Sequence, residues 1–308
     1  MKDAAAGAEA CDVVIAGGGP AGLAAALWLG RYRRRVVVMD QGEPRNEPAW
    51  AVHGYPGLAD PSPVELRRRL YEQALGAGAE VRQGEVIRVE GARDDFTVRL
   101  RGGDVLRTRR VILAYGLRDY LPDIQGVDEL YGTSVFHCPD CDGPAVADTR
   151  IGVLGWDRHG AALALYLRHW SDDVTLLPHD RDVALDEKAA AVLDDAGIPR
   201  REGRIRRVEG HGGNLTQVEF DDGSTLRLDA LFFHLGSEPR CDLAEALDCE
   251  LDEDGYVMVD RGQETSRPGV HAAGDITGPP HLASIAATDG VRAALAIHRS
   301  LLPPSHQL

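Results

Sequence analysis

The chain has 308 residues, too many for one small core and suited to two α/β domains, or to one with an insertion. Its apolar fraction of 44% and charged fraction of 27% are ordinary for a globular protein, and a formal net charge of −15 argues against a bare nucleic-acid backbone as partner. The most apolar stretch, Ala21–Gly30, is far short of the ~20 residues a bilayer span needs, so no membrane association is expected.

The N-terminus, MKDAAAGAEACDVVIAGGG, is interrupted by acidic residues and lacks the layout of a signal peptide, which predicts a cytoplasmic location. Cys11–Ala16 reads as a buried strand through Val13, Val14 and Ile15. Pro20–Leu29 reads as a helix and Val36–Met39 as a second strand, giving a strand, glycine turn, helix and strand in succession. Val64–Ala77 has the spacing of an amphipathic helix. Val81–Val89, Phe96–Leu100 and Val105–Thr108 read as antiparallel strands separated by polar turns. Val111–Ala114 reads as a buried strand ending at Tyr115–Gly116. A second unit of the same kind follows: strand Ile151–Leu154, turn Gly155–Gly160, helix Ala161–His169 and strand Val174–Leu177. Val218–Phe220, Leu226–Leu228 and Ala230–His234 add strands, and Ala283–Arg299 is predicted to be a terminal helix.

Gly17-Gly18-Gly19-Pro20-Ala21-Gly22 satisfies G-x-G-x-x-G between an apolar strand and a helix. Gly17 permits the tight turn, Gly19 has no Cβ to keep a pyrophosphate from the helix N-terminus, and Gly22 lets helix and strand pack closely. The helix dipole and its free N–H groups then face the phosphates. Asp40 closes the second strand, 18 residues after Gly22, where it can bind ribose hydroxyls. FAD and NAD sites share this pattern. A distant segment, Gly269–Asp275, reads as a strand ending in Gly274-Asp275, and it is similar to the segment of two-dinucleotide flavoproteins whose aspartate binds the ribityl chain of FAD.

Taken with these motifs, the chain resembles low-molecular-weight thioredoxin reductases and their NADPH-independent relatives, the flavin dithiol oxidases among them. The resemblance is carried by GGGPAG (17–22), HGYPG (53–57), VILAYG (111–116), HCPDCDG (137–143), FFHLGSEP (232–239) and TSRPGVHAAGDI (265–276), and it runs over nearly the whole chain. It implies an α/β fold of two Rossmann-like, three-layer dinucleotide-binding domains. A split FAD domain (1–118 and 239–308) would receive a second domain of NAD(P)H type (119–238) that carries the CxxC motif. It further implies a homodimer, a dithiol or disulfide substrate that is either a small molecule or a thioredoxin-like protein, and FAD contacts from Gly17, Gly19, Pro20, Ala21, Gly22, Asp40, Gly116, Gly274 and Asp275. The likeness lapses at Leu282-Ala283, where the family often has Arg-Gln close to the flavin ring.

There are five cysteines, Cys11, Cys138, Cys141, Cys241 and Cys249, an odd and sparse set unlike a secreted disulfide framework. Cys138-Pro139-Asp140-Cys141 is the one close pair; two thiols at this spacing can close a disulfide where a turn brings their Cβ atoms together. A helix N-terminus favours a thiolate there and Asp140 opposes it. His137 either offsets that charge when protonated or packs as a neutral ring. Half of a zinc site and two structural thiols are the competing readings, but zinc wants a second ligand pair that this chain lacks. By analogy with the family, Cys141 faces the flavin, Cys138 exchanges with substrate, and Asp142 exchanges protons with the thiolates. The alternative for Asp142 is a helix-end or solvated carboxylate. Cys11, Cys241 and Cys249 read as packing residues.

The second glycine turn, Gly155-Trp156-Asp157-Arg158-His159-Gly160, keeps the outer glycines and replaces the middle one with Asp157. Its carboxylate adds a like charge where a pyrophosphate must approach, worth about 4 kcal/mol at ~4 Å and an effective dielectric of ~20, with Arg158 offsetting part of it. The next strand leads into Leu177-Pro178-His179-Asp180-Arg181-Asp182. NADPH-using relatives have an arginine cluster for the 2′-phosphate there, and this chain sets one arginine between two aspartates. Three functions follow: a flavin thiol–disulfide oxidoreductase without NADPH, an NADPH-dependent thioredoxin reductase, and a non-catalytic FAD-binding sensor or scaffold. An intact CxxC argues against the third.

Overall fold

The structure is a computed structural model that describes residues 9–179, 185–240 and 242–306. Asp180, Arg181, Asp182 and Cys241 lie outside the described residues. The chain divides into two compact units: Met1–Glu47, Gly54–Arg118 and Ser237–Leu308 form one, and Pro48–His53 with Asp119–Gly236 form the other.

In the first unit, strand β1 (Glu9–Ala16) leads through the glycine turn to helix α1 (Pro20–Arg31) and strand β2 (Val36–Asp40). Val13, Val14 and Ile15 are fully buried, as an apolar run between two parallel neighbours requires. Helix α2 (Pro63–Gly76) starts where Ser62 Oγ accepts a hydrogen bond from the Glu65 N–H at 3.2 Å, with Pro63 at the first helical position. Strands β3 (Glu80–Gln83), β4 (Val86–Ala92), β5 (Asp95–Leu100) and β6 (Val105–Leu113) follow. The sheet order is β3-β2-β1-β6-β5-β4, with β1 parallel to both β2 and β6.

Two expectations are corrected here. The predicted strand Val81–Val89 is two strands: β3 pairs parallel with β2, and β4 pairs antiparallel with β5. Gly84 separates them, with φ +152° and its N–H given to Asp40 O. Alternation records which face is buried, not the direction of the partner strand. Val105–Thr108 and Val111–Ala114 join in the single strand β6, which turns from an antiparallel partner, β5, to a parallel one, β1.

After the short β7 (Leu117–Asp119), the second unit contains α3 (Val127–Leu130), β8 (Val135–Phe136), α4 (Pro139–Asp142), β9 (Ile151–Leu154), α5 (Arg158–Leu167) and β10 (Val174–Leu177). Helix α6 (Glu187–Asp195), strands β11 (Ile205–His211), β12 (Asn214–Phe220) and β13 (Thr225–Arg227), and strand β14 (Ala230–Phe233) complete it. The parallel sheet runs β10-β9-β14-β8, and β11-β12-β13 form a separate antiparallel sheet. One apolar cluster joins Leu154, Leu177, Leu231 and Phe233 to the antiparallel sheet, and another joins Val153, Leu176 and Phe232 to α5. The second unit therefore has three layers.

The chain then returns to the first unit through β15 (Ser237–Pro239), which pairs with β7, and continues with α7 (Asp242–Ala246), β16 (Val270–Ala272) and α8 (Ala283–Ser300). Strand β16 adds to β6 in parallel. Among the described residues no helix is long and apolar enough to cross a membrane.

Helix α8 meets α1 at Gly290, where an added Cβ would stand 2.0 Å from the Ala21 carbonyl oxygen. Helical propensity favours alanine at such a site, but backbone cannot yield as a flexible side chain does. Gly290→Ala is expected to destabilise the protein by about 1–3 kcal/mol in urea unfolding, against the gain of propensity alone.

Candidate active site

Cys138 and Cys141 form a disulfide with Cα atoms 5.3 Å apart. The local fold makes the pairing: Pro139 starts the one-turn helix α4, Cys138 is its N-cap, and Cys138 Sγ accepts from the Cys141 N–H at 3.2 Å. Both cysteines are partly exposed. The Asp142 N–H donates to Cys138 O at 3.1 Å, so the residue following the pair is locked to its first member.

Asp142 is only 9% exposed, which corrects the solvated-carboxylate alternative. Burial pushes its pKa up to about 6, and His53 pulls it the other way. His137 shares a 2.9 Å hydrogen bond with the Tyr131 hydroxyl through Nδ1, and its ring leans on Tyr131 and Phe233. Asp140 accepts a 2.6 Å hydrogen bond from the Tyr166 hydroxyl on α5 at Oδ1, which ties the middle of the CxxC loop to the neighbouring helix. Cys11 and Cys249 are buried free thiols, and burial raises both pKa values, Cys11 to about 11.

The first glycine turn offers a nucleotide site. Gly17 has φ +116°, and a Cβ there would lie 2.2 Å from Ala114 O. A Cβ on Gly22 would lie 2.0 Å from Gly17 O, whereas one on Gly19 would meet nothing within 4 Å. Gly19 is the N-cap of α1, with no side-chain cap and no acidic residue in the first turn. Pro20 and Ala21 form that first turn. The helix start is therefore open to an external anion.

The other cofactor candidates gather round the same end of the sheet. Asp40 lies beside Gly18, accepting from the Gly42 N–H at 3.0 Å and from Arg67 at 2.5 Å. Gly116 follows β6 with φ +71°. A Cβ on Gly274, whose φ is +81°, would lie 2.9 Å from the Ala21 side chain. Asp275 pairs with Arg45 at 2.8 Å, and the buried Asp289 on α8 takes a hydrogen bond from the Gly274 backbone. An open helix start ringed by backbone approach points fits a dinucleotide such as FAD. Leu282 is the N-cap of α8 and gives it no side-chain cap.

The second turn is built differently. Gly155 and Gly160 touch so closely that a Cβ on Gly155 would lie 2.4 Å from Gly160 Cα. Asp157 is the N-cap of α5, and its Oδ1 accepts from the N–H groups of His159 at 2.9 Å and Gly160 at 3.0 Å. A carboxylate of the chain itself thus occupies donors that a pyrophosphate would need. His179, with φ +59°, takes the Ile205 N–H on Nδ1 at 3.0 Å.

Sequence reading did not find Arg45, Arg67, Tyr131, Tyr166, His53 or Asp289. Each acts through a contact distant in sequence, and none belongs to a spaced motif. The capping role of Asp157 had a local signal, since an aspartate just before a helix is a preferred N-cap.

The raised pKa of Asp142 fixes the sign of a stability effect. Between the ordinary carboxylate value near 4 and about 6, the folded protein holds a proton that the unfolded chain has released. The contribution is therefore full below that window and lost as pH rises through it. Asp142→Asn is expected to flatten this part of the stability–pH curve, measured by urea unfolding from pH 4 to 7.

The chain matches the pyridine nucleotide-disulphide oxidoreductase family over residues 11–290. It is 32% identical to the thioredoxin reductase tcpT of Claviceps purpurea, covering 86% of this chain and 86% of that one. It is 29% identical over 96% of its length to an alkyl hydroperoxide reductase of Pseudomonas putida, but spans only 59% of that protein. The crystal structure of HlmI superposes with a TM-score of 0.90 at 41% identity, covering 95% of this chain and 92% of that one. Thioredoxin reductases and their family are FAD-dependent flavoproteins, in keeping with the open start of α1. The chain belongs to the pyridine nucleotide-disulphide oxidoreductase family and is a thioredoxin reductase-like, FAD-dependent disulfide oxidoreductase.

Proposed function

We propose that the protein oxidises dithiols through Cys138 and Cys141 and does not draw its electrons from NADPH. One observation carries the second half: the N–H groups of His159 and Gly160 at the start of α5 are already bonded to Asp157. NADPH would have to displace that carboxylate or bind beside it, against charge repulsion in either case. The Asp180 and Asp182 carboxylates flanking Arg181 in sequence add to the penalty at the 2′-phosphate.

Gly17, Gly19, Gly22, Gly116 and Gly274 would hold FAD, with Asp40 and Asp275 as polar contacts. When bound it supplies a two-electron acceptor for the reduced cysteine pair. The remaining chemistry belongs to the chain. A substrate thiolate attacks Cys138 Sγ, the Cys138–Cys141 bond breaks, and the electron pair leaves on Cys141 Sγ. The second substrate thiol then closes the substrate disulfide and frees Cys138. Asp142, buried beside the pair, holds or gives up the proton that accompanies this exchange. Oxygen is the simplest final oxidant, because it needs no second nucleotide site.

A second reading has its own support. The Gly155–Gly160 contact keeps the frame of a dinucleotide turn, and the relative tcpT is named a thioredoxin reductase. On that reading NADPH reduces the flavin and the cysteines reduce a thioredoxin-like disulfide.

Anaerobic stopped-flow mixing separates the two. A dithiol such as dithiothreitol is expected to bleach the flavin absorbance, with peroxide released on admitting air, while NADPH and NADH bleach it slowly and without saturation. Fast, saturable bleaching by micromolar NADPH would establish the second reading instead.

Serine variants test the cysteine roles. Cys138→Ser and Cys141→Ser are each expected to lose dithiol turnover by at least about a hundredfold while retaining FAD, because neither lies in the glycine turns. Cys138→Ser leaves the Cys141 thiolate, and a long-wavelength charge-transfer band in that variant alone identifies Cys141 as the flavin-facing sulfur. Full turnover in either variant would refute the redox pair.

A further inference from the structure

The segment Pro48–His53 clusters with the second unit although its flanking residues belong to the first. It is pinned near the start of the disulfide segment: the Trp50 N–H donates to Gly132 O at 3.1 Å. Gly132, with φ +80°, lies so close that an added Cβ would stand 2.3 Å from Pro48 O. Strand β8 and then His137-Cys138 follow directly along the chain. At the other end of the segment, His53 packs edge-on against the Trp50 indole with ring centroids 5.0 Å apart. His53 also lies within electrostatic reach of Asp142. One short segment therefore connects the turn before the cysteines to the carboxylate after them. Trp50 remains 53% exposed, so burial alone does not account for an indole here; its ring contact is with His53.

We propose that His53, oriented by Trp50, is a positioning residue that sets the charge state of Asp142 during thiol exchange. The proposal deepens the dithiol–disulfide reading of Cys138 and Cys141 and takes its catalytic meaning from it. In that exchange the substrate loses two electrons and two protons, and the cysteine pair gains two electrons as its S–S bond breaks. The protons go to the freed sulfurs or to a neighbouring base. Protonated Asp142 can donate to a leaving sulfur, whereas the ionised form repels a thiolate. A cationic imidazole beside it lowers its proton affinity, so the carboxyl releases its proton at a lower pH than burial alone would set.

The other charged or titratable groups of this neighbourhood are accounted for. Asp140, on α4 with Asp142, is bonded to Tyr166 of α5, and His137, at the end of β8, is bonded to Tyr131. Both are adjacent in sequence to the cysteines, and each is held by a tyrosine hydroxyl outside the Pro48–His53 segment.

The test reads the proton on Asp142 directly, without turnover. The infrared band of a protonated buried carboxyl group, assigned by its loss in Asp142→Asn, is titrated in the FAD-loaded protein. The wild type is expected to titrate near pH 6. His53→Gln is expected to move the midpoint up by about one pH unit. His53→Lys, which keeps a cation, is expected to bring it back to or below the wild-type value. Trp50→Phe should leave the midpoint in place, and Trp50→Ala should shift it part of the way towards His53→Gln. Equal midpoints in the glutamine and lysine variants, or none displaced from the wild type, would overturn the proposal, since a merely structural role would affect both variants alike. Absence of dithiol turnover in the wild type would instead remove the function reading and leave the infrared result standing.

Discussion

Backbone N–H groups at the start of a helix must find an acceptor, and this chain satisfies that demand in two opposite ways. Helix α1 begins at Gly19 with no side-chain cap and open space where a Cβ would be, so its donors point outward to whatever anion arrives. Helix α5 begins at Asp157, and one carboxylate oxygen takes two of its donors. Both turns follow a parallel strand and both pack through paired glycines, Gly17 with Gly22 and Gly155 with Gly160. The shared architecture thus separates from the shared ligand. One residue, placed where an oxygen of a pyrophosphate would otherwise go, is enough to change which unit offers a binding site.

The disulfide depends on a related piece of local geometry. Helix α4 is a single turn, and Cys138 at its N-cap puts sulfur rather than oxygen at the donor of Cys141. The same turn draws Asp142 inward, because its N–H must pair with Cys138 O and its side chain then faces the interior. Burial makes the carboxyl reluctant to ionise, which places its proton release in the range where thiol chemistry can use it. Asp140, two residues earlier on the same turn, stays exposed and is bonded to Tyr166. Two aspartates in one tetrapeptide therefore have different roles, set by which face of the turn each occupies.

Much of this was legible in the sequence where one feature acts locally. The apolar run of Val13, Val14 and Ile15, the glycine spacing from Gly17 to Gly22 and the proximity of Cys138 to Cys141 each encode their structure within a few residues. The parallel pairing of β3 with β2 was not legible, because alternation at Val81 and Arg82 reports a half-buried strand and leaves its direction open. The burial of Asp142 was not legible either, since it depends on packing around a helix of four residues. Arg45 at Asp275 and Arg67 at Asp40 were invisible for another reason: an ion pair between residues 230 or 27 positions apart leaves no periodic trace. Asp157 was read correctly as an obstacle to pyrophosphate, but through charge repulsion alone. The structure adds that it is also the acceptor that makes the pyrophosphate unnecessary.

That addition bears on how such a unit can outlive its ligand. A helix start that relies on a bound phosphate is fully satisfied only when the ligand is present, and the folded state then gains stability by mass action. An N-cap carboxylate supplies its hydrogen bonds at all times, typically worth about 1 kcal/mol, and carries the negative charge that the helix dipole favours. Substituting aspartate for the central glycine therefore trades an intermittent anion for a permanent one. The second unit can keep its three layers, its strand order and the loop that presents Cys138 and Cys141 without occupancy by a nucleotide. The first unit has made no such exchange: the start of α1 has no internal acceptor among its own side chains, and its stability remains coupled to the cofactor that fills it. Dependence on FAD and indifference to NADPH are, on this argument, two settings of the same backbone donors.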